Sequence, residues 1–351
     1  MPLLRGQKTM TVTIKDIAKR AGVSVTTVSR VLNNSGYVSK EARTAVEEAI
    51  KELDYVPNAM AKSLPSRGSS MVGTMIPEVG NPFFAGVIAG VTNICDQKNY
   101  SLMLCNANES AARERRYLRS LREQRIAGLI IASTADETEL TAEHIGAIKK
   151  MKCPIVMLDR QLPYIDYEGV YTDDETPMTE LMTLLLKEGH RNIAYLAGNL
   201  YTSTGRNRYK GVKKAFENAG LTLPEENVFP STFSSKDGFA LTQKILSRPK
   251  EEWPTAIVVA NNTIAMGALH SLYMHNVIIP RDIAFAGYDR LEVMEQLQGN
   301  LTLVEKDGIE IGEIAMRRLF ARLENDPNEP AGDIIIRPKL VVRGSEKMPV
   351  R

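Results

Sequence analysis

The fold of this chain is set near its start, by the stretch Val12-Thr-Ile-Lys-Asp-Ile-Ala-Lys-Arg-Ala-Gly-Val-Ser-Val-Thr-Thr-Val-Ser-Arg-Val-Leu32. Its first apolar residues recur at intervals of three and four, at Ile14, Ile17, Ala18 and Ala21. That spacing predicts a short amphipathic helix, which Thr13 caps and Gly22 ends.

A second helix is predicted over Val25–Leu32, with Ser24 as its cap. Its inward side would be Val28, Val31 and Leu32, and its outward side would be Val25, Thr26, Ser29 and Arg30. Two short helices around a glycine turn are typical of a helix-turn-helix. A third apolar stripe would complete the core of this unit; it comprises Ala42, Ala45, Val46, Ala49, Ile50 and Leu53.

The charge distribution bears on what these helices do. Periodicity alone fits a plain three-helix bundle equally well. Residues 1–70, however, hold eleven Lys and Arg against six Asp and Glu, a net charge of +5, whereas residues 71–351 have a net charge of −3. A basic excess on the helical unit favours duplex DNA as its partner.

Four motifs of this region resemble those of one known family: Val12-Thr-Ile-Lys-Asp-Ile-Ala18, Ala21-Gly-Val-Ser24, Thr27-Val-Ser-Arg-Val-Leu-Asn33 and Tyr55-Val-Pro-Asn58. The family is the lactose-repressor (LacI/GalR) family of bacterial transcription regulators. The resemblance implies that Val25 and Thr26 read bases in the major groove and that Arg30 reaches a base edge or a phosphate. The resemblance also implies further DNA contacts, mostly with phosphates, by five residues of the helix-turn-helix: Thr13, Ser24, Thr27, Ser29 and Asn33.

The segment between Pro57 and Pro65 is predicted to be a hinge. A helix of seven residues is unstable alone. In the family it forms on operator DNA, pairs with the copy in the dimer mate and inserts a leucine into the minor groove, which kinks the duplex. Leu64 matches that leucine, and the resemblance adds Asn58, Ala61 and Lys62 as DNA contacts. Pro65 departs from the pattern because it ends the helix abruptly.

Length and composition place the chain among multidomain proteins with a sizeable core: it has 351 residues, of which 43% are hydrophobic and 25% charged. We expect a DNA-binding domain over 12–57, a hinge and linker over 58–70 and a core over 71–345. The start of the sequence has no signal-peptide pattern and no long apolar run follows, which favours the cytoplasm. Cys95, Cys105 and Cys153 form no C-x-x-C pair, so neither a disulfide framework nor a metal site is expected, and no cofactor is implied.

After a linker over Ser66–Ser70, strands and helices alternate, which predicts an α/β core of parallel sheets flanked by helices. The first run of predicted elements is Val72–Ile76, a helix from Phe83, Ser101–Leu104, a helix over Ala111–Gln124, Gly128–Ala132, a helix near Glu143–Lys150 and Pro154–Leu158. The second is a helix over Thr176–Glu188, Asn192–Leu196, a helix over Arg206–Ala219, Asp237–Leu246, Ala256–Val259, a helix over Thr263–His275 and Ile283–Ala286.

Two lobes follow from this repetition. A last helix, Ile309–Leu323, and a last strand, Ile334–Val342, must return to lobes begun earlier, so we expect lobe 1 over about 71–173 and 303–331 and lobe 2 over about 174–302 and 332–345. The family's core resembles periplasmic sugar-binding proteins, with a ligand cleft between two lobes. Sheets of this type bind ligands at the carboxyl ends of their strands.

The resemblance assigns effector contacts to ten residues, several of them at predicted strand ends: Asn81, Phe83, Phe84, Asp159, Arg160, Arg208, Phe233, Asn261, Asp289 and Lys306. Simpler interpretations stay open for some of them. At least one of Phe83 and Phe84 fits the start of a buried helix, and Asp159 with Arg160 also fits a structural salt bridge.

Two residues depart from the family pattern: Asn262 replaces the usual aspartate, and Lys306 stands where many members have glutamine. Together with Arg160 and Arg208, Lys306 would place three cations against Asp159 and Asp289. A neutral sugar would then leave one cation without a partner, which is costly, so an anionic effector such as a sugar acid or sugar phosphate is favoured. The alternative is that Lys306 turns outward or pairs with Glu305 or Asp307.

The sequence therefore predicts a homodimeric, sugar-responsive repressor of carbohydrate-utilisation genes that binds a pseudo-palindromic operator. An enzyme is one alternative, but no G-x-G-x-x-G, Walker A, G-x-S-x-G or H-E-x-x-H motif occurs, and the four histidines do not cluster. A cytoplasmic sugar-binding or sugar-modifying protein without a DNA role and a transport binding protein are the others, and the helix-turn-helix pattern argues against both.

Overall fold

Three short helices form the first of two units into which the chain divides, Met1–Ser69 and Ser70–Arg351. The structure is a computed structural model that describes residues 12–32, 34–55, 69–296 and 299–349. The helices are α1 (Ile14–Ala21), α2 (Val25–Leu32) and α3 (Lys40–Glu52). Ile17, Val28 and Val46, one from each helix, are fully buried together, so the predicted apolar stripes meet as expected.

The turn between α1 and α2 has the predicted geometry. Gly22 caps the C-terminus of α1 in the left-handed region, at φ +67°, which glycine adopts without steric cost. The Ser24 hydroxyl accepts a hydrogen bond from the Thr27 amide at 3.1 Å. At the other end of α1, the Asp16 carboxylate accepts hydrogen bonds from the amide of Thr13, at 2.8 Å, and from its hydroxyl.

The core begins with a βα alternation that builds the sheet of lobe 1. Its elements are β1 (Met71–Ile76), α4 (Pro82–Lys98), β2 (Ser101–Asn106), α5 (Ala111–Glu123), β3 (Gly128–Ile131), α6 (Ala142–Lys149), β4 (Ile155–Leu158) and β5 (Gly169–Thr172). The central strands are buried on both faces. Continuous apolar runs of this kind are typical of parallel sheets covered by helices.

Lobe 2 repeats the alternation and ends in elements shared with lobe 1. Its first elements are α7 (Glu175–Lys187), β6 (Ile193–Leu196), α8 (Ser203–Asn218), β7 (Val228–Phe229), α9 (Ser235–Leu246), β8 (Ala256–Val259) and α10 (Asn262–Met274). The remaining elements of the chain are β9 (Ala284–Tyr288), α11 (Glu292–Gln296), β10 (Thr302–Glu305), α12 (Gly308–Glu324), β11 (Ile334–Ile336) and β12 (Lys339–Val341).

The two sheets have corresponding strand orders, β11-β5-β4-β3-β1-β2 in lobe 1 and β12-β10-β9-β8-β6-β7 in lobe 2. The pairings are parallel except that β12 runs antiparallel to β10. The α/β architecture of two parallel-sheet lobes is therefore confirmed.

The predicted lobe boundaries were wrong at the end of the chain. β10 pairs with β9 and belongs to lobe 2, whereas β11 pairs with β5 and belongs to lobe 1. The single strand predicted over Ile334–Val342 is two strands in different sheets, because Pro338 lies between them and cannot donate a ladder hydrogen bond.

Further elements differ from the sequence prediction, and two of these, α11 and β10, lie where no element was predicted. The sequence analysis placed the segment Asp237–Leu246 among the strands, but it lies in helix α9. Its buried residues Gly238, Thr242 and Ile245 recur at helical spacing. The strands β5 (Gly-Val-Tyr-Thr) and β7 (Val-Phe) were not predicted, since neither contains an apolar run of the length that marks the other parallel strands.

Candidate functional site

A small cavity lies between the two lobes, where the carboxyl ends of their strands face each other. The space left among its side chains is about 30 Å³, enough for only one or a few water molecules. Twelve residues line it. They are Asn81, Phe83, Phe84, Glu109, Asp159, Arg160, Thr204, Arg208, Phe233, Asn261, Asp289 and Lys306.

The structure thus brings together all ten residues that the sequence singled out and adds Glu109 and Thr204. The reason is topological: Asp159 follows β4, Asn261 follows β8 and Asp289 follows β9. Parallel strands end at the same edge of their sheet, so side chains far apart in sequence converge there.

Two asparagines of the cavity also begin helices. The Asn81 side-chain oxygen accepts a hydrogen bond from the Phe83 amide at 2.9 Å, and that of Asn261 accepts one from the Ile264 amide at 2.9 Å. Because the carbonyl oxygens serve as helix caps, each side chain keeps its amide nitrogen as the group that can donate to a ligand.

Four lining residues have backbones in the left-handed region: Glu109 at φ +48°, Asp159 at +58°, Phe233 at +61° and Asp289 at +69°. Residues other than glycine adopt this region at a cost, and such residues cluster at ligand-binding sites. Gly198 permits the position of Phe233, since a Cβ atom there would lie 1.9 Å from the phenylalanine ring.

The Lys306 ammonium lies between carboxylates of the two lobes. Its Nζ is 2.8 Å from Asp159 Oδ1 and 3.7 Å from Asp289 Oδ1. The Lys306 side chain is 1% exposed, so the outward orientation considered from the sequence is wrong. Glu305 pairs instead with Arg343, and Asp307 caps α12.

Arg208 is fixed on several sides by buried groups. It donates to Asp174 Oδ1 at 3.1 and 3.2 Å and to the Ala260 carbonyl oxygen at 2.7 Å. Its guanidinium lies 3.8 Å from the centre of the Tyr288 ring, and its Nη1 is 3.9 Å from Asp289 Oδ2. Such a held guanidinium is pre-organised for planar, two-point recognition.

Arg160 forms a two-point ion pair with Glu109. Its nitrogens lie 2.7 and 2.9 Å from the two carboxylate oxygens, and Nη1 also reaches the Ser133 carbonyl oxygen at 3.3 Å. The Arg160 Nε and Asp289 Oδ1 atoms are buried and have no hydrogen-bond partner among the described residues.

The charge count made from the sequence was wrong. It set Arg160, Arg208 and Lys306 against two carboxylates, but Glu109 and Asp174 pair with the arginines. In the described residues the three cations meet four carboxylates, so no cation needs an anionic ligand.

Burial and these pairings shift the pKa values. Burial alone would raise the pKa of Asp159, but Lys306 and Arg208 outweigh it and hold that pKa below its ordinary value. Burial raises the pKa of Asp174, which Arg208 opposes. Burial would lower the pKa of Arg208, yet Asp174 and Asp289 raise it.

Polar contacts outside the cavity also join the lobes. The side-chain amide of Asn199 donates to the Asp136 carboxylate at 2.8 Å. The backbone amide of Gln161 donates to the Ser203 hydroxyl at 2.9 Å. Arg206 and Glu137 form an ion pair at 2.8 Å. These contacts therefore connect the lobes beside the cavity.

The outward side of α2 is a candidate nucleic-acid interface. Val25 is 42% exposed, and Thr13, Ser24, Thr26 and Arg30 are exposed as well. Thr27 and Ser29 are half-buried. The other predicted DNA contacts, Asn33, Asn58, Ala61, Lys62 and Leu64, lie outside the described residues.

The histidines have structural partners. His144 is buried against Glu114 at 2.8 Å, and His190 is bonded to Thr255 and the Glu346 carbonyl. Within the described ranges, no group of three or more His, Cys, Asp or Glu side chains could hold a metal. No helix of the described part is long and apolar enough to cross a membrane.

Known protein families match both the helix-turn-helix region and the two-lobed core of the chain. The family described as "Bacterial regulatory proteins, lacI family" matches residues 13–58. The family described as "Periplasmic binding proteins and sugar binding domain of LacI family" matches residues 69–335. The chain belongs to the LacI family. It is accordingly a DNA-binding transcription regulator and not an enzyme.

Relatives and solved structures cover nearly the whole chain. The transcriptional repressor PurR of Yersinia enterocolitica is 33% identical over 335 residues, 95% of this chain and 96% of the relative. The ribose operon repressor of Escherichia coli K12 is 33% identical over 334 residues, 95% of this chain and 99% of the relative. The Lac repressor dimer bound to operator and the anti-inducer ONPF has a TM-score of 0.79 at 26% identity and covers 96% of this chain and 100% of that one.

Proposed function

We propose that this LacI-family repressor is a homodimer whose affinity for a pseudo-palindromic operator is set by a neutral sugar bound between the lobes of its core. It would control carbohydrate-utilisation genes in the cytoplasm. The cavity carries the proposal, because it places carboxylates and guanidinium groups of both lobes around one small space.

The lining suits a polyhydroxylated ring. Carboxylates accept from hydroxyl groups and guanidinium groups donate to them in charge-assisted hydrogen bonds, which are stronger than neutral ones. The rings of Phe83, Phe84 and Phe233 add apolar surface that can lie against the C–H faces of a sugar.

The charges favour a neutral sugar over the anionic one inferred from the sequence. Each cavity cation has a carboxylate partner, and carboxylates outnumber cations. A sugar acid or sugar phosphate would meet only cations that already have a carboxylate partner, and its own charge would add to the excess of carboxylates. D-ribose is a suitable first compound, since a ribose operon repressor is 33% identical to this chain.

Sugar binding requires the lobes to separate. Ligand pockets are commonly about 300–1,000 Å³ in volume, whereas this cavity is about 30 Å³. A sugar must therefore break contacts such as Arg206–Glu137 and Asn199–Asp136. A ligand that binds one lobe arrangement better than another shifts the population between them. This shift in population would change the affinity of the DNA-binding domain for the operator.

A ligand screen by thermal unfolding of the full-length chain tests the effector class. D-ribose, D-glucose and D-ribose 5-phosphate are compared at equal concentrations. We expect a neutral sugar to raise the unfolding temperature by mass action and the phosphate to do so less. Stabilisation by the anionic sugar alone would overturn the neutral preference, and no stabilisation by any member of a broad sugar panel would overturn the sugar proposal.

The exposed side of α2 is proposed to read the operator. Substitution of Val25 or Thr26 should change the preferred bases, at about 1–3 kcal/mol per mismatched base pair. Selection of binding sites from a random DNA pool by the wild type and by Thr26→Ala measures this. An unchanged consensus in both would contradict the assignment. The log of the binding constant should also fall with log salt by about 0.9 per contacted phosphate.

A further inference from the structure

We propose that Asp159, Asp289 and the ring of Phe83 form a receptor for a primary ammonium group, which Lys306 fills from within the chain. This built-in occupant excludes ligands that carry an amine from that part of the cavity. As a statement about effector choice it rests on the proposed function, but the receptor itself is tested without any sugar.

The position of Lys306 in the chain makes it a link between the lobes. Asp159 follows β4 in lobe 1, and Asp289 follows β9 in lobe 2. Lys306 lies on the crossing between β10 of lobe 2 and α12, which packs on lobe 1. One ammonium is therefore 2.8 Å from the carboxylate of lobe 1 and 3.7 Å from that of lobe 2.

An aromatic face completes the surroundings of the ammonium. The Lys306 Nζ lies 3.6 Å from the centre of the Phe83 ring, a distance at which the ring quadrupole attracts a cation. The side chains of Lys306, Asp159 and Asp289 are 1%, 8% and 5% exposed. Two carboxylates and a ring face in a buried space are the groups that recognise an alkylammonium ion.

Neither arginine of the cavity can take over this role. Arg160 is held by Glu109 and Arg208 by Asp174, and Arg208 reaches Asp289 only at 3.9 Å. Without the lysine, Asp159 would keep no hydrogen-bonded cation among the described residues. Lys306→Ala should thus leave a cation-binding space with the shape of the missing side chain.

Chemical rescue of Lys306→Ala tests the receptor in the full-length chain. The n-propylammonium ion has the three carbons and the nitrogen that the substitution removes. We expect Lys306→Ala to lower the unfolding temperature, and n-propylammonium chloride at 1–100 mM, an about hundredfold range chosen to reveal saturation, to restore at least half of the loss. Tetramethylammonium and 1-propanol should restore little, since one cannot donate hydrogen bonds and the other has no charge.

Two controls separate the receptor from general effects of salt or lost packing. Lys306→Met keeps an unbranched side chain in the space without its charge and should not respond to n-propylammonium. Lys214→Ala removes a surface ion pair with Glu175, whose lysine side chain is 54% exposed, and should show no saturable rescue.

Several results of these rescue experiments would overturn the inference. Equal rescue by n-propylammonium and tetramethylammonium, or equal rescue of Lys306→Met, would overturn the receptor. If Lys306→Ala does not fold, its refolding yield with n-propylammonium and with 1-propanol replaces the melting curve, and an equal yield overturns the inference. Failure of wild-type protein to bind any sugar would defeat the proposed function and leave the rescue result standing.

Discussion

Asp174 shows how one residue outside the cavity wall can control the site. Its carboxylate is 2% exposed and accepts two hydrogen bonds from Arg208, and the Thr172 hydroxyl donates to it at 3.2 Å. Arg208 has no other carboxylate within hydrogen-bond distance among the described residues, because Asp289 lies 3.9 Å away. The orientation of the arginine that lines the cavity therefore depends on a residue that is not itself part of the cavity lining.

Removal of this partner should be strongly destabilising. Asp174→Ala leaves a buried guanidinium uncompensated, and breaking a buried ion pair in this way typically costs about 3–5 kcal/mol. Urea denaturation of the full-length chain measures the loss. Asp166→Ala, at an exposed aspartate, is the matched control and should cost under about 0.5 kcal/mol. Equal losses in the two variants would show that the Arg208 pairing contributes nothing.

Asp159 should make stability depend on pH in a defined window. Its pKa in the folded chain lies below the ordinary value, so it stabilises the fold fully above about pH 4 and loses that contribution as the pH falls through its folded pKa. The difference in free energy of unfolding between the wild type and Asp159→Asn should be largest at pH 7 and shrink below about pH 4. A difference that grows on acidification would contradict the ion pair with Lys306.

Among the helices, the close packing of α4 on α12 fixes the position of the segment between β10 and α12, which contains Lys306. Glycines bring the two helix backbones together: a Cβ at Gly90 would lie 2.1 Å from the Ile309 carbonyl oxygen, and one at Gly312 would lie 2.2 Å from that of Val87. Side chains larger than hydrogen do not fit between backbones at this distance. α12 begins two residues after Lys306, so this contact fixes where the lysine enters the cavity.

Gly90→Ala should destabilise the core, because the added methyl group forces the two helices apart and overpacking typically costs about 1–3 kcal/mol or more. Gly146→Ala is the matched control: it is also in a helix, and its Cβ would meet nothing within 4 Å. There the higher helix propensity of alanine should stabilise by about 0.5–1 kcal/mol. Thermal unfolding of both variants measures the effects, and a loss of similar size in Gly146→Ala would contradict the packing argument.

At the scale of the whole molecule, local patterns in the sequence predicted more than its long-range pairings. Caps and apolar spacing were sufficient for α1 to α3. Predicted strand ends, together with the family resemblance, selected Asp159, Asn261 and Asp289 for one cavity. The points at which the chain crosses between the lobes could not be predicted, because β10 and β11 are too short for their sequences to show which sheet they join.

The charge balance of the site was also beyond reach of the sequence. Arg160 and Glu109 are 51 residues apart, and Arg208 and Asp174 are 34 apart. Neither carboxylate carries a local pattern that indicates its partner, since side-chain pairing across a cleft is fixed by tertiary structure. The neutral-sugar proposal and the ammonium receptor both depend on these unpredicted pairs.

The coupling between cavity and operator is tested most directly by operator titration of the full-length chain with and without the sugar that stabilises it most. We expect saturating sugar to change the operator Kd by about 5–150-fold, the usual size of an allosteric coupling. Asn261→Ser, which keeps a capping oxygen but loses the amide nitrogen, should bind operator normally without sugar and need more sugar for the same change. An operator Kd that stays constant while the sugar saturates the core would contradict the account.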